Sequence, residues 1–507
     1  YWIFQLHLRT QDIPAAALLM LLVLAAWLAP AREALARLVE ALGRRPWQVA
    51  AAAFVLLCLG ALSVELNHPV AQDEYAALFQ SRAFAAGHLT GRFPPELIPR
   101  LIPQEYRNHF LYASGETGAV ASAYWPGFAL LLTPFAFLGI PWACNAMLAA
   151  LALVLMADLA VRLSGDVRAA GWALLLALAS PQFTASAITY YSMTAHLVAN
   201  LVFASLLLQA GDRRVFLAGV VGSFALVLHN PLPHALFALP WIVWLARQPA
   251  PWRRLAILAA GYAPVALLIG FGLHGLFPPD ANPLHRALNF LWIWHIKMRT
   301  VLADSDTGVL GMRVAELVRL WNWAVPGLLV LAGAGWWLGR RDQRVLLLGL
   351  SFACTVAGYF MVGFTQGHGW GARYVHSAWG ALPVLGALAL VRARGLGCEA
   401  LERYVAALAA LSLIFATALR AVQVHGYVEG RLANRPPFAP GVRQVVLVRH
   451  DSRRYTADLV QNDPLLRDKV WFMVGVQADK NAAFMHSRFP DARRVMSDQR
   501  GEVWRLE

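Results

Sequence analysis

The sequence predicts an α-helical polytopic membrane protein with about twelve transmembrane helices, interfacial helices in the first outer loop and a small C-terminal α/β domain outside the membrane. Of the 507 residues, 59% are hydrophobic and only 14% are charged, and the mean hydropathy is +0.51. Soluble domains have about 25% charged residues, so a soluble enzyme and a disordered chain are both excluded. The apolar residues also form long runs, separated by short loops that are rich in arginine.

Twelve apolar runs are candidate spans, because about 20 apolar residues are needed for a helix to cross the hydrocarbon core. They are 13–29, 47–65, 141–162, 169–187, 191–210, 215–229, 234–246, 255–276, 320–338, 345–363, 374–391 and 404–419. Two short spans meet at a break that contains His229, Asn230 and His234. Short or broken helices are tolerated where they line a cavity or are buried in protein. These three residues therefore either line a substrate cavity or cap the broken helix ends.

Basic residues predict the orientation of the chain. Of the 43 Lys and Arg residues, 40 are Arg. One set of alternate loops carries 17 Arg in 53 residues, and it comprises 31–46, 162–168, 211–214, 247–254, 339–344 and 392–403. The opposite set carries only 10 Lys or Arg in 131 residues. This bias places the first set in the cytoplasm, and it indicates membrane orientation rather than nucleic-acid binding.

The remaining loops and the C-terminus are then predicted to lie outside. The excess of arginine over lysine favours a bacterial origin, and hence the inner membrane, with the active site on the periplasmic side. The chain begins at Tyr1 rather than Met, so we expect a few residues to precede it.

Two segments outside the spans have a character of their own. The first outer loop covers 66–140, and its apolar but short end, 125–140, predicts a helix that lies along the outer interface. Residues 421–507 are more polar, and they predict an external α/β domain that follows a transmembrane catalytic domain over 1–420. Its β-like runs are Val445–Val448, Val470–Val474 and Glu502–Leu506.

The distribution of titratable groups favours chemistry at the outer face over ion-coupled transport. Pumps and carriers keep ionisable residues near the centre of the bilayer. Here the span interiors are almost free of them, and polar groups crowd into the predicted outer loops. The first of these loops opens with Asp73-Glu74-Tyr75 and ends with Tyr124-Trp125-Pro126-Gly127.

These two motifs, together with the long array of spans, resemble the GT-C glycosyltransferases. The resemblance is to the branch that contains the lipid A aminoarabinose transferase and the protein O-mannosyltransferases. It implies a sugar donor on a polyprenyl phosphate, so no nucleotide site is needed, and neither a P-loop nor a dinucleotide motif is visible. It also implies that Asp73 is the general base and that Glu74 supports it or binds acceptor or metal. Tyr75 and Tyr124 become candidates for lining the substrate cavity.

An outer loop before a late span is the candidate site for the donor phosphate. Residues 365–374 read Thr-Gln-Gly-His-Gly-Trp-Gly-Ala-Arg-Tyr. Glycines let the backbone come close to a ligand, and cations stabilise a phosphate whose charge grows as it leaves. We therefore expect Arg373, His368 and Tyr374 to bind the phosphate and Trp370 to line the cavity. The alternative is a tight loop with one interfacial arginine.

The outer loop 277–318 adds two candidates for phosphate binding, Lys297 and Arg299. They lie among aromatic residues, an arrangement that suits sugar and phosphate but also describes an ordinary interfacial helix. Many relatives carry a further acidic residue where this chain has 188–196, a stretch without a carboxylate. We therefore expect either no required cofactor or a divalent cation, Mg²⁺ or Mn²⁺, held by Asp73 and Glu74 if present.

The resulting hypothesis is an inverting transferase that moves one sugar from a polyprenyl phosphate to a hydroxyl of a lipid, glycan or protein acceptor. Direct displacement with the help of one base would invert the anomeric carbon. One alternative is a ligase or polymerase that uses a lipid diphosphate donor. The other is a non-catalytic flippase or transporter of lipid-linked sugars.

Overall fold

The computed structural model describes residues 2–29, 32–209, 211–277, 307–362, 366–452 and 454–506. The chain divides into two units. The helical unit consists of Tyr1–Glu65, Trp142–Ile269 and Ala287–Val424, and the mixed unit consists of Leu66–Pro141, Gly270–Arg286 and His425–Glu507.

Most of the helices lie wholly or partly in the helical unit. They are Trp2–His7, Ile13–Leu28, Arg32–Gly43, Pro46–Ser63, Ala143–Ser164, Val167–Leu178, Pro181–Ala187, Met193–Leu207, Asp212–Val227, Leu232–Leu245, Pro251–Val265, Thr307–Asn322, Leu328–Gly339, Gln343–Phe360, Ala381–Gly395, Glu399–Leu411 and Thr417–Leu432. Three π-helical segments continue these helices, namely Leu8–Asp12, Ala266–Leu273 and Ser412–Ala416.

Half of the predicted spans are confirmed as helices that can cross a membrane. Within the described residues, six helices are long and apolar enough, namely Gln5–Leu28, Pro46–Ser63, Ala143–Ser164, Pro251–Leu273, Gln343–Phe360 and Glu399–Leu432. Large apolar side chains on them are exposed, with Leu56 at 68% and Leu268 at 72%. A lipid environment would cover such side chains, whereas water would not favour them.

Three of the other predicted spans are not continuous helices over their predicted length, and the reason is local. Run 169–187 is two helices, because Pro181 has no N–H to continue the first one and begins the second. Run 320–338 is interrupted between Asn322 and Leu328, where Gly327 has a left-handed backbone with φ +82°. In the run 374–391, a 3₁₀ turn precedes the helix. The count of twelve full spans is therefore confirmed only in part.

Close helix packing in the helical unit depends on small residues. A Cβ atom built at Gly219 would lie 2.3 Å from the carbonyl oxygen of Leu258, and one at Gly261 would lie 2.2 Å from that of Phe216. Small residues let helix backbones approach in this way, which is typical of helix contacts in membranes.

Contacts within the helical unit agree with the predicted alternation of loops. Ion pairs join different loops of the predicted cytoplasmic set, namely Arg403 to Glu33 at 3.7 Å and Arg253 to Asp212. At the opposite ends, Asn322, near the predicted outer end of the span 320–338, donates to the carbonyl oxygen of Asp12 at 2.6 Å. Helix ends that were predicted to lie on the same side of the membrane are therefore in contact with one another.

The mixed unit contains two small sheets. The first is antiparallel, with Ala119–Ser122 between Gly91–Arg92 and Leu111–Ala113. The second has the strand order Val470–Gly475, Gln444–Arg449, Gly501–Arg505 and Arg493–Asp498. Its first pair is parallel and the other two are antiparallel. All three predicted β-like runs are strands here, and the helix Ala478–Arg488 adds the predicted α/β character.

One hydrophobic core joins the first outer loop to the C-terminal segment. Phe79 and Phe93 from the loop pack in the same buried cluster as Leu447, Met473 and Trp504. The loop also contributes the helices Gln72–Ala85 and Gly127–Phe137, and the second of these falls on the predicted interfacial segment. The helix that carries the Asp73-Glu74 pair is thus held by the C-terminal fold.

Candidate active site

The Asp73 motif follows a strained turn in the mixed unit. Leu66 and Asn67 both have left-handed backbones, with φ of +56° and +50°. This region is unfavourable for residues other than glycine, and such strain tends to collect at functional sites. Helix Gln72–Ala85 then begins after Ala71, whose backbone is extended.

Glu74 holds the start of this helix. Its Oε2 accepts hydrogen bonds from the N–H groups of Val70 at 2.9 Å and Ala71 at 3.3 Å, and its side chain is fully buried. Ala71 has no side-chain oxygen, so this is the carboxylate half of a capping box. The geometry favours a structural role for Glu74, beside the role in binding or support that the resemblance implies.

Asp73 differs from its neighbour in exposure. It is the second residue of the helix and remains partly exposed, whereas Glu74 is buried. The helix dipole favours a negative charge in the first turn. The Glu74 carboxylate is therefore used by the fold, and Asp73 remains partly exposed at the helix start.

The two predicted tyrosines of this loop lie in or against its core. The Tyr75 hydroxyl donates to the carbonyl oxygen of Asn462 and accepts from its N–H, both at 2.7 Å. Burial raises the pKa of Tyr75 above its ordinary value. Tyr124 is half-buried and packs against Phe110, with ring centroids 6.2 Å apart. The geometry thus assigns Tyr75 to structural support, while Tyr124 keeps an accessible part.

The predicted phosphate loop lies in the helical unit and is described from residue 366. The Nε2 of Gln366 donates to the carbonyl oxygen of Gly371 at 2.7 Å, and its Oε1 accepts from the N–H of Arg373 at 3.0 Å. Gln182 reaches the same turn, because its Oε1 accepts from the N–H of Ala372 at 2.7 Å. Two buried glutamines therefore fix the backbone around Arg373.

Gly371 is needed where the turn meets Gln182. Its φ is +56°, and a Cβ atom there would lie 2.0 Å from Oε1 of Gln182. We expect Gly371→Ala to displace Gln182 and to destabilise the protein by more than about 1 kcal/mol, the strain of a left-handed backbone alone. Thermal unfolding in nanodiscs measures this. Gly367→Ala is the control, because φ is +62° there but no atom lies within 4 Å of the added carbon. Equal effects of the two variants would show that Gln182 does not constrain the loop.

The guanidinium of Arg373 is oriented by neighbouring groups. It is 8% exposed, its Nη2 donates to the carbonyl oxygen of Gln366 at 2.5 Å, and it lies 4.1 Å from the ring centroid of Tyr191. Tyr191 belongs to the stretch 188–196, which contains no carboxylate. That stretch instead supplies an aromatic face for the arginine, an interaction that is strong when desolvated.

The other predicted members of the loop are also packed. Trp370 Nε1 donates to Oε2 of Glu65 at 3.2 Å, and Tyr374 stacks on Tyr359 with centroids 5.0 Å apart. His368 is buried, at 6% exposure. Arg373 also lies 5.6 Å from the ring centroid of Tyr374, and the binding of phosphate by this loop stays a prediction. Lys297 and Arg299, with the aromatic residues around them, lie outside the described residues.

A buried cluster of charges next to this loop was missed by the sequence prediction. Asp12 is its centre, since its Oδ1 accepts from Arg420 at 3.2 Å and from Nε1 of Trp323 at 2.8 Å. Its Oδ2 lies 3.1 Å from Nε of Arg319. All three charged side chains are at most 2% exposed. Each stands at the predicted outer end of a different span, and this shared position is the signal that could have revealed them.

A second buried ion pair, formed by Arg313 and Glu316, is close enough to Arg373 to feel its charge. Arg313 is 2% exposed and forms an ion pair with Glu316. Burial raises the pKa of Glu316 above its ordinary value, against the opposing effect of Arg313, Arg319 and Arg373. The described part of the helical unit therefore buries four arginines here, and Asp12 and Glu316 are carboxylates that form ion pairs with three of them.

The side chains of His234 and Asn230, at the break between two predicted spans, form hydrogen bonds within the protein. His234 is fully buried, with Nδ1 2.7 Å from Oδ1 of Asn200 and Nε2 2.6 Å from the hydroxyl of Tyr262. Asn230 Oδ1 accepts from the N–H of Leu232 at 3.1 Å, at the start of a helix. His229 is half-buried. For Asn230, this geometry favours the capping alternative, whereas both ring nitrogens of His234 contact side chains of other helices.

Metal binding has no ready-made cluster in the described ranges. Among those residues, no group of three or more His, Cys, Asp or Glu side chains is placed to hold an ion. Glu74 uses one oxygen on backbone N–H groups, and two carboxylates alone supply fewer oxygens than the six or more ligands that such a cation prefers.

Comparisons with known proteins identify the fold. No protein-family model matches the chain, and no curated protein matches it significantly. Two solved structures of ArnT from Cupriavidus metallidurans do match, each at 14% identity over 90% of this chain and 97% of the other. The structure bound to undecaprenyl phosphate has a TM-score of 0.53, and the apo structure has 0.50. The chain therefore shares the fold of these two ArnT structures, and this agrees with the fold that the resemblance of its motifs implies.

Proposed function

We propose that this protein is a membrane glycosyltransferase that moves a sugar from a polyprenyl-phosphate donor to a hydroxyl of a lipid, glycan or protein acceptor. The observation that carries the proposal is the fold shared over 90% of the chain with an ArnT structure bound to undecaprenyl phosphate. Six apolar helices support a location in the membrane. The arginine-rich loops support the bacterial inner membrane, with the active site on the periplasmic side.

Asp73 is the general base of the proposed reaction. The acceptor hydroxyl loses its proton as it attacks the anomeric carbon, and a carboxylate at the site takes that proton. The partial exposure of Asp73 supports this role. Displacement in one step inverts the anomeric configuration. Glu74 positions Asp73 by fixing the helix start, and it is a positioning residue rather than the base.

The buried arginines stabilise the leaving group. As the glycosidic bond breaks, negative charge develops on the polyprenyl phosphate, and preorganised cations in a water-poor site favour that state. Arg373 is the first of them, because hydrogen bonds and an aromatic face fix its guanidinium. Arg313, Arg319 and Arg420 raise the positive potential around it. His368, Tyr374, Lys297 and Arg299 complete the proposed donor site, with Trp370 along the cavity.

The reaction either needs no cofactor or uses Mg²⁺ or Mn²⁺. A polyprenyl phosphate is a good leaving group, which favours the metal-free form. If a cation is bound, Asp73 and the second oxygen of Glu74 would be among its ligands and it would neutralise developing charge on phosphate. Activity before and after treatment with EDTA, followed by addition of each cation, decides between the two.

A panel of lipid-linked sugars tests the proposal. Purified protein in nanodiscs is incubated with polyprenyl-monophosphate and polyprenyl-diphosphate sugars, and mass spectrometry follows the free lipid phosphate and the glycosylated acceptor. Nanodiscs without protein serve as the control. We expect release of polyprenyl phosphate from a monophosphate donor. Turnover of diphosphate donors alone would replace the proposal with the ligase or polymerase. Lipid-linked sugar movement without bond cleavage would replace it with the flippase.

A further inference from the structure

Arg435, in the mixed unit, has no role in the proposed reaction as described so far. Arg435 follows the helix Thr417–Leu432, and its Nη2 donates to Nε2 of His68 at 3.1 Å. Its guanidinium also lies 4.8 Å from the ring centroid of Phe472. His68 stands five residues before Asp73, on the strained segment that leads to it.

Arg435 has no counter-ion within the described ranges of the chain. Among the residues that the structure describes, no carboxylate forms an ion pair with it, and its Nε has no hydrogen-bond partner. Arg431, one helical turn earlier, differs sharply. Its guanidinium donates to the carbonyl oxygens of Arg454 and Tyr455 at 2.8 Å and pairs with Asp458 at 3.1 Å. The positive charge of Arg431 is compensated, and that of Arg435 is not.

The electrostatic effects on this pair agree with an excess of positive charge. Burial and the neighbouring Arg431 lower the pKa of Arg435 to about 10. Burial, then Arg435 and Arg431, lower the pKa of His68 well below its ordinary value. His68 is therefore neutral and offers its Nε2 lone pair to Arg435. A partly buried cation without an opposite charge destabilises the folded state, and a bound anion would supply that charge.

We propose that Arg435 and His68 form a binding site for a phosphate group of the acceptor, on the segment that leads to Asp73. Both side chains are half-buried and thus reachable. Arginine binds phosphate through parallel N–H groups, and the pair lies in the same unit as the proposed base, which the acceptor must contact. This assignment to the acceptor rests on the proposed function. The binding of phosphate itself does not.

Inorganic phosphate is the probe, and the apparent unfolding temperature of the full chain in phosphatidylcholine nanodiscs is the readout. A ligand that binds only the folded state raises this temperature. Ionic strength is held constant with chloride. We expect phosphate to stabilise the wild type, and Arg435→Met to weaken its apparent affinity by about tenfold, the loss of one charge-assisted contact. Arg454→Met is the matched control, because Arg454 is exposed and pairs with Asp451.

Stability without phosphate distinguishes a ligand site from a structural arginine. Arg435→Met removes an uncompensated charge but keeps the apolar stem, so we expect its unfolding temperature in phosphate-free buffer to equal or exceed that of the wild type. A clear fall there would overturn the proposal, as would a phosphate response equal to that of the wild type.

Arg373→Gln separates this site from the donor site. If phosphate stabilisation depends on Arg435 but not on Arg373, the acceptor site stands and the donor site fails. The opposite dependence overturns this inference and leaves the proposed function intact. Nanodiscs that contain phosphatidic acid identify the source of the phosphate. Stabilisation by this lipid that requires Arg435 indicates a lipid headgroup, and its absence indicates a soluble phosphorylated acceptor.

Discussion

Replacing Asp73 with asparagine is expected to lower the rate of sugar transfer by about a hundredfold to ten-thousandfold, the range for loss of a general base. Asparagine has nearly the same size and can still accept a hydrogen bond, but it cannot take the proton of the acceptor. Since Glu74, not Asp73, holds the helix start, the variant should fold normally. Transfer is measured by mass spectrometry with a saturating polyprenyl-phosphate sugar, and folding by thermal unfolding.

Two variants of the same loop serve as controls. Glu96→Gln changes an exposed carboxylate of the first outer loop and should leave the rate unchanged. Glu74→Gln keeps an oxygen for the N–H groups of Val70 and Ala71, so we expect a lower unfolding temperature with a much smaller loss of rate than in Asp73→Asn. Equal turnover by Asp73→Asn and wild type would mean that Asp73 only starts the helix and that the base lies elsewhere.

The sequence predicted helices well and their interruptions poorly. A hydropathy pattern identifies an apolar run, and such a run can continue through residues that end a helix. Pro181 divides one predicted span, and the left-handed Gly327 precedes the helix in another. Both residues were visible in the sequence, but whether a proline or glycine breaks a buried helix depends on the neighbours that satisfy the freed backbone groups.

The Asp73-Glu74 pair shows how far a motif predicts a site. The sequence placed both carboxylates at the opening of the first outer loop, and the resemblance made Asp73 the base, but neither showed what Glu74 contacts. The structure shows this through backbone geometry, because Glu74 is the third residue of the helix and turns back to the N–H groups before it. Ala71 carries no capping oxygen, so the usual sequence signature of a capping box is missing.

The buried charges around Asp12 could not be predicted from local pattern. Asp12, Arg319 and Arg420 are each more than 100 residues apart, and each alone looks like an interfacial residue at a span end. Their meeting depends on which helices are neighbours, which is a property of the fold. The same holds for Arg435 and His68, and for the core that Phe79 shares with Trp504.

Arg373 is the residue of the helical unit whose replacement should have the largest effect on transfer. We expect Arg373→Gln to lower the rate by about a hundredfold to a thousandfold, the cost of losing one preorganised group that stabilises charge in the transition state. Arg373→Lys should recover only part of this loss. Lysine keeps the charge but lacks the planar fork and stacks less well on the ring of Tyr191. The rate is measured at several concentrations of polyprenyl-phosphate sugar, so that kcat and KM separate.

Arg340→Gln is the matched control, because Arg340 also lies over an aromatic ring and donates to a carbonyl oxygen. Its guanidinium is 3.8 Å from the ring centroid of Trp337 and 2.6 Å from the carbonyl oxygen of the same residue. It belongs, however, to the predicted cytoplasmic loops and is exposed. A fall of kcat in Arg373→Gln with normal kinetics in Arg340→Gln ties the effect to the leaving phosphate. If the two glutamine variants lose activity equally, or if Arg373→Lys keeps the full rate, orientation of the guanidinium by Gln366 and Tyr191 has no part in catalysis.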